Sequence, residues 1–518
     1  MAVTDDISRR DLLQAAGGFT FLALLPVGTG GFLVGADADA QQPAPGGLPP
    51  APLLYTALPY IQPGPEGSLK SGAESVVLAW QTEDRQAEFT VDYGPTTTYG
   101  HHAPIAMATR ATGSDGNRRR NYTATLTKLA LATPYKYRLR QGTQVIAEGF
   151  FTTRKPRGAP VRIVSFGDNA FGDVAQRAIA YQVYKARPDL VLNTGDNVYD
   201  SGLDNEYERY FFPVYNAEGA GARIGAPLVS TVPFYTVIAN HDVHGKDAAG
   251  RPAVDFETSP DSLAYFTAMH LPLTGTPVPP QSPPIIGSPA AFERFRECAG
   301  QRFPTQANYW FDVGDARILC LDANTYVDPT HPEWARFIQS ALGSTDARWR
   351  LVAFHHGPFN IGNEHYKEQH MRIHAPLFEQ LGVDVVLSGH EHSYQRTRPL
   401  RFRPAGPGRA ALVDDDDDRR VPGTFIVDHT FNGTTATTPL GVIYIITGAG
   451  GADLYDPGFT DRPDLWLHDD DGRIPYVDRV VTDRHSFTIL DVHRDALTIT
   501  QVDQWGHDVD RIKITKPS

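Results

Sequence analysis

Cysteine is nearly absent from this chain of 518 residues, which has two. Two thiols cannot build a four-thiolate metal site of the zinc-finger type, nor the disulfide framework that replaces a core in small secreted domains. Beyond the first forty residues no apolar run is long enough to cross a bilayer as a helix. Positive charge is also scarce: 47 Lys and Arg face 60 Asp and Glu, a net charge of −13, which argues against non-specific binding to nucleic acid or anionic membranes. A phosphorylated small molecule stays open as a partner, because the local charge of a metal can override the global field. No internal repeat is visible. What remains is ordinary globular composition, 41% apolar and 21% charged, over a length that one core rarely organises, so two or three domains are expected.

The N-terminus carries Ser8-Arg9-Arg10-Asp11-Leu12-Leu13, then a glycine-tempered apolar stretch from Ala15 to Gly35 and small residues at Ala38-Asp39-Ala40. This pattern predicts a twin-arginine signal over 1–40, followed by a Pro/Gly/Ala-rich linker at 41–52. The twin-arginine route carries folded proteins, which suits a chain that must take up metal before leaving the cytoplasm. The expected location is therefore periplasmic or extracellular, with the twin-arginine export machinery as one partner and no stable membrane anchor. Cys320 lies in a buried-strand pattern, Arg317 to Asp322, as a small hydrophobe; whether it pairs with Cys298 is open.

Residues 53–157 alternate in short period-two runs: Ser75–Thr82, Glu88–Tyr93, Tyr122–Leu126, Pro134–Leu139 and Gly149–Thr153. Their order resembles a fibronectin III-like β-sandwich. The His101-His102 pair there is expected in a solvated loop. From residue 158 to 518 apolar strands alternate with helical stretches, an α/β signature. Two insertions are expected, a Pro-rich one at 248–304 forming surface loops around the site and another at 401–438. The run Asp414 to Asp418 within the latter lacks the spaced oxygens and glycine turn of a calcium loop and is expected to be a solvated acidic loop.

Five predicted strands end within about three positions of a metal-competent residue, the place where open α/β sheets hold their ligands. The blocks are Gly167-Asp168-Asn169-Ala170, Gly195-Asp196-Asn197-Val198-Tyr199, Ala239-Asn240-His241-Asp242, His355-His356-Gly357-Pro358 and Gly389-His390-Glu391-His392. Carboxylates, an amide, a phenol and imidazoles together suit iron, zinc or manganese, and an Asp between two ions can bridge them. In this order the blocks resemble those of the calcineurin-like metallophosphoesterases, and most closely the purple acid phosphatases. Two details select that branch. Ala170 stands where many metallophosphoesterases have a ligating His, and Tyr199 follows Asp196 by three residues.

The resemblance implies a four-layer α/β/β/α metallophosphoesterase domain over 158–518 after the sandwich. It also implies Fe(III) held by Asp168, Asp196, Tyr199 and His392, with a divalent Fe, Zn or Mn held by Asp196, Asn240, His356 and His390. His355 competes at the fourth block; the family pattern, a ligand two residues before Pro358, favours His356. The implied activity is hydrolysis of phosphomonoesters, of the acid phosphatase type, by attack of a metal-activated hydroxide. His241 would protonate or stabilise the leaving oxygen, with Asp242 orienting its imidazole, and His365 would face the substrate. Two departures stand out: Glu364 where the family often has a second His, and Ala170 where it usually has Gly. A phosphodiesterase, or an exported alkaline phosphatase, on the same fold is the alternative, and a non-catalytic secreted binding protein is a more distant one.

Overall fold

The computed structural model describes residues 52–516 except 249, 251, 277–281, 415–418 and 467–475. The expected signal at 1–40, nearly all of the linker at 41–52 and most of the acidic run Asp414 to Asp418 lie outside the described residues. Among the described residues no helix is long and apolar enough to cross a membrane, and residues 53–518 form one compact unit.

The alternating segments become eight strands: β1 Tyr55–Gln62, β2 Ala73–Glu83, β3 Phe89–Gly94, β4 His101–Ala103, β5 Ile105–Thr109, β6 Arg119–Ala130, β7 Pro134–Gln141 and β8 Gln144–Thr152. They form two antiparallel sheets, β1-β2-β6-β5 and β4-β3-β7-β8. The inward residues of both, Leu78, Val91, Leu126, Leu139 and Phe151 among them, share one core, in which Trp80 stacks on Tyr122 at 5.4 Å. The His101-His102 pair is not a loop. It lies on edge strand β4, where backbone pairing to β3 captures it and His102 Nδ1 lies 2.7 Å from Asp92.

The second half supplies β9 Val161–Phe166, β10 Leu190–Asn193, β11 Phe234–Thr236, β12 Tyr309–Val313, β13 Ala316–Cys320, β14 Trp349–His356, β15 Val385–Gly389, β16 Tyr394–Thr397, β17 Ile443–Thr447, β18 Val477–Val481, β19 Ser486–Val492, β20 Ala496–Asp503 and β21 Asp508–Thr515. Six strands make one mixed sheet, β11-β10-β9-β19-β20-β21, and seven make another, β12-β13-β14-β15-β17-β16-β18. Strands β9, β10 and β11 run parallel, as do β13, β14, β15 and β17. Their near-continuous apolar character is that of strands covered on both faces. Residues of both sheets, such as Val164, Leu192, Ile318, Leu351 and Leu387, meet in one cluster. Helix α1, Val174–Ala186, begins where the Asp173 side chain accepts a hydrogen bond from Gln176 N, and its Ile179, Ala180 and Val183 join that cluster.

The Pro-rich insertion at 248–304 is not a set of surface loops. Helix α2, Pro289–Ala299, buries Ala291, Phe295, Cys298 and Ala299, a face at i, i+4, i+7 and i+8, against Phe256, Phe266 and Phe303. The insertion also carries contacts to the N-terminal strands: Tyr60 Oη donates to the Ala268 carbonyl at 2.8 Å and Asn121 Nδ2 to that of Thr267 at 3.2 Å. The second insertion contains a hairpin, Leu400–Pro404 with Gly423–Val427. A further cluster joins Val352, Phe354 and Val386 to Trp334 and Ile338 of helix α3, Pro332–Gly343, and Phe378 of helix α4, Ala375–Gln380. Cys298 and Cys320 are both buried free thiols.

Candidate metal centre

All five blocks sit at the carboxyl ends of parallel strands. Asp168, Asp196 and Asn240 follow β9, β10 and β11 of the six-stranded sheet; His355 and His356 end β14, and His390 and His392 follow β15, in the seven-stranded one. The turns that aim them are unusual. Asp168, Ala170, Asp196 and His390 have φ of 61°, 85°, 49° and 71°, a left-handed region that non-glycine residues avoid unless their surroundings hold them there. Gly389 is demanded by packing: a Cβ there would lie 2.5 Å from Asp168 Oδ2.

One group of side chains gathers around Asp168 and Asp196. Tyr199 Oη stands 3.1 Å from Asp196 Oδ2, 3.5 Å from Asp168 Oδ1 and 3.2 Å from His392 Nε2. His392 Nδ1 lies 2.7 Å from the Asp453 carbonyl, which takes a proton on that nitrogen and leaves Nε2 free to bind a cation. His355 Nδ1 meets the Thr194 carbonyl at 2.8 Å, and its Nε2 is 3.3 Å from Asp196 Oδ2. His355 therefore adjoins the carboxylates, while His356 faces the other way, its ring 4.2 Å from that of His390. Asp196 Oδ1 accepts from the His241 backbone N–H at 3.0 Å, so the second carboxylate points one oxygen at each side of the site.

A second group contains His356, His390 and Glu368. Glu368 Oε2 is 3.4 Å from His356 Nε2 and 3.1 Å from His390 Nε2, and Oε1 lies 2.9 Å from His365 Nδ1. Asn240 Oδ1 and His390 Nε2 are buried without a hydrogen-bond partner, a costly arrangement for protein alone. Those orphaned acceptors, two carboxylates and a phenol are the donor set that a pair of cations would satisfy, so the residues present fit a binuclear centre.

The charge states agree. Burial pushes His390 and His392 down to about 4 and His356 well below its ordinary value, so these imidazoles stay neutral, the ligand form. Burial and the Asp196 charge push Asp168 up to about 8. Burial works upward on Asp196 too, but His355 and His241 hold its carboxyl well below the usual range. Burial, then the two Asp charges, drive the Tyr199 phenol well above 10 in the metal-free chain. Only a cation at the same spot reverses that repulsion.

His241 and His365 border this site. The His241 ring lies 4.3 Å from that of Tyr199, and its Nδ1 is 2.8 Å from the Asp200 carbonyl. Asp242 does not orient that imidazole. Its buried carboxylate instead accepts from Asn197 Nδ2, Tyr207 Oη and the Ala239 N–H, bracing the turn from behind, because a three-residue 3-10 turn sends consecutive side chains in different directions. The His365 ring is 3.7 Å from that of His390. Two residues here were not singled out from sequence. Glu368 follows His365 by three positions, a spacing that was the only signal for it, and Tyr455, stacked 4.1 Å from His392, had none.

Residues 161–394 match the family model of the calcineurin-like phosphoesterases. Purple acid phosphatase 17 of Arabidopsis thaliana is 25% identical over 259 residues, 47% of this chain and 67% of that one. An uncharacterised protein of Mycobacterium tuberculosis is 23% identical over 445 residues, covering 77% of this chain and 75% of that one. Among solved structures, a purple acid phosphatase from yellow lupin seeds superposes with a TM-score of 0.59 at 17% identity, over 88% of this chain and 74% of that one, and so shares the fold. Residues 161–394 thus form a calcineurin-like metallophosphoesterase domain, and the chain is a metal-dependent phosphoester hydrolase. Within that class it is a purple acid phosphatase-like member, a family that implies a binuclear metal centre.

Proposed function

We propose that this chain is an exported acid phosphatase acting on phosphomonoesters of small molecules. The observation that carries the reading is the placement of Tyr199 Oη within 3.5 Å of Asp168, Asp196 and His392, a phenol, two carboxylates and an imidazole about one point. A phenolate is a hard ligand suited to Fe(III), and Asp168, Asp196, Tyr199 and His392 would hold that ion. Asp196, Asn240, His356 and His390 would hold a divalent Fe, Zn or Mn, with Asp196 as the bridge. Two such ions, when bound, acidify water and offset the charge of a phosphate.

The chain's own residues do the rest. His241, its Nδ1 fixed on the Asp200 carbonyl, presents Nε2 to the leaving oxygen and hands it a proton. His365, steadied by Glu368, faces a phosphoryl oxygen. Phe171 and Tyr455 pack on Tyr199 and His392 and limit water at the rim. Residues 53–157 are read as a fibronectin III-like domain, 158–518 as the four-layer catalytic domain, and 1–40 as a twin-arginine signal that delivers the enzyme to the periplasm or beyond.

The second reading, a phosphodiesterase or alkaline phosphatase on this fold, draws on Glu364, a carboxylate beside His365 where a second imidazole would attract a dianionic monoester. The deciding experiment compares turnover of p-nitrophenyl phosphate and bis(p-nitrophenyl) phosphate between pH 4 and 9, with the visible spectrum of the wild type and Tyr199→Phe. Monoester preference at acidic pH and a visible band lost in Tyr199→Phe support the proposal. Diester preference, or a colourless active enzyme, favours the second reading.

A further inference from the structure

We infer that Glu368 is a direct ligand of the divalent ion, beside His356 and His390. This rests on the two-ion reading above and adds a carboxylate to it. Glu368 lies between β14 and α4, outside the five blocks at the strand ends.

The geometry carries the assignment. One atom each of His356, Glu368 and His390 lie within 4.8 Å of one another. Glu368 Oε2 is 3.4 Å from one imidazole Nε2 and 3.1 Å from the other. Bonds of about 2.1 Å to a common ion place neighbouring ligand atoms about 3.0 Å apart in an octahedron and about 3.4 Å apart in a tetrahedron. At 3.1 Å from the carboxylate, His390 Nε2 still lacks a well-aligned hydrogen bond. Two ring nitrogens and a carboxylate oxygen thus converge, an arrangement that a cation stabilises.

The other oxygen explains how the carboxylate is aimed. Oε1 takes His365 Nδ1 at 2.9 Å, which fixes the rotation of the carboxylate and turns Oε2 toward the two imidazoles. The loop between them is fastened from below: Asn360 Nδ2 donates to Glu391 Oε2 at 2.9 Å, Gln395 Nε2 to Asn360 Oδ1 at 2.9 Å, and the Gly362 N–H to Asn360 Oδ1 at 2.8 Å. With the side chain of Glu368 26% exposed, this ligand stands on the open side of the site. A carboxylate there raises the anionic charge around the second ion and favours hard divalent ions. It also links that ion, through one side chain, to a histidine facing the substrate.

The test counts metal, not turnover. The whole chain, stripped of metal, is dialysed against a series of buffered free Zn2+ concentrations and bound zinc is measured, for wild type, Glu368→Gln, Glu368→Asp and His365→Ala. The expected result is a weakening of one of two zinc sites by about 100-fold or more in Glu368→Gln, beyond the roughly 10- to 100-fold cost of losing an outer-shell partner. His365→Ala, which only frees the rotation of the carboxylate, should weaken the same site by about 10-fold, and Glu368→Asp, which keeps the charge but withdraws the oxygen, should fall between wild type and Glu368→Gln. Wild-type affinity in Glu368→Gln overturns the inference, as does an equal loss in His365→Ala, which would make Glu368 a positioning residue for the histidine. If Glu368→Gln does not fold, Glu368→Asp decides by the same criterion, wild-type affinity overturning the assignment. A wild-type chain that never binds a second zinc overturns the two-ion reading itself, a failure visible before any variant is made.

Discussion

Tyr199 Oη and His392 Nε2 stand 3.2 Å apart although 193 positions separate them in the chain. Tyr199 arrives from the six-stranded sheet and His392 from the seven-stranded one, so their meeting measures how closely the two sheets are registered. The Asp453 carbonyl then fixes the imidazole from behind. Four expected outcomes test this arrangement.

Gly389→Ala should lose metal without losing the fold. The added Cβ would press on Asp168 Oδ2 at 2.5 Å, at the residue before a left-handed His390, so relief displaces a carboxylate of the site. Metal counting by atomic emission on the purified variant, beside an unchanged far-ultraviolet circular dichroism spectrum, checks it.

His241→Ala should lower kcat by about 100-fold or more for alkyl phosphates, whose leaving oxygen needs a proton, and by much less for p-nitrophenyl phosphate. Equal losses on both substrates would instead assign His241 to stabilising the phosphoryl group in the transition state.

Asp242 should make the metal-free chain more sensitive to alkali. Burial, then the Asp196 charge, pushes its carboxyl from 3.8 up to about 8. The folded state holds this proton more tightly than the unfolded chain, so the associated stability is fully present below about pH 4 and is lost as pH rises through about 8. Asp242→Asn removes the titration. Compared by calorimetry without metal, the variant's Tm minus that of wild type should rise steadily between pH 4 and 8.

Arg154→Met should destabilise the chain by about 3 kcal/mol or more, because Glu74, whose side chain is 2% exposed, is left buried and unpaired. Arg154 also ties Gly67 and Asp312 through their carbonyls at 2.8 and 3.1 Å, which joins the first half of the chain to β12. Thermal unfolding checks the loss, and Glu74→Gln in the same chain should restore part of it.

The strand-end blocks were readable in sequence because each is a local event, an apolar run that stops at a short polar signature. Asp168, Asp196, Tyr199, Asn240, His356, His390 and His392 all fall at the mouth of one site for that reason. Glu368 was not readable, since its approach to His390 depends on how a loop folds back over β14 and on no periodicity of its own. The insertion at 248–304 misled through composition: its prolines suggested surface, while Tyr265, Phe266, Phe295 and Phe303 pack among themselves. The i, i+4, i+7 spacing from Ala291 was there to be counted. Asp242 illustrates the reverse error, in which adjacency along the chain to His241 does not give contact in a 3-10 turn.

The pairing of β19 with β9 sets a timetable for synthesis. Arg162 and Asp491 form an ion pair across these neighbours, 329 positions apart, and Thr488 sits opposite Ser165, three residues before Asp168. A nascent chain still on the ribosome has made every residue of the five blocks long before it makes the strand that flanks the first of them. Until Ser486–Val492 emerges, that edge of β9 is open. A chain stalled before residue 486 should therefore leave the ribosome with all five blocks made and one edge of β9 unpaired.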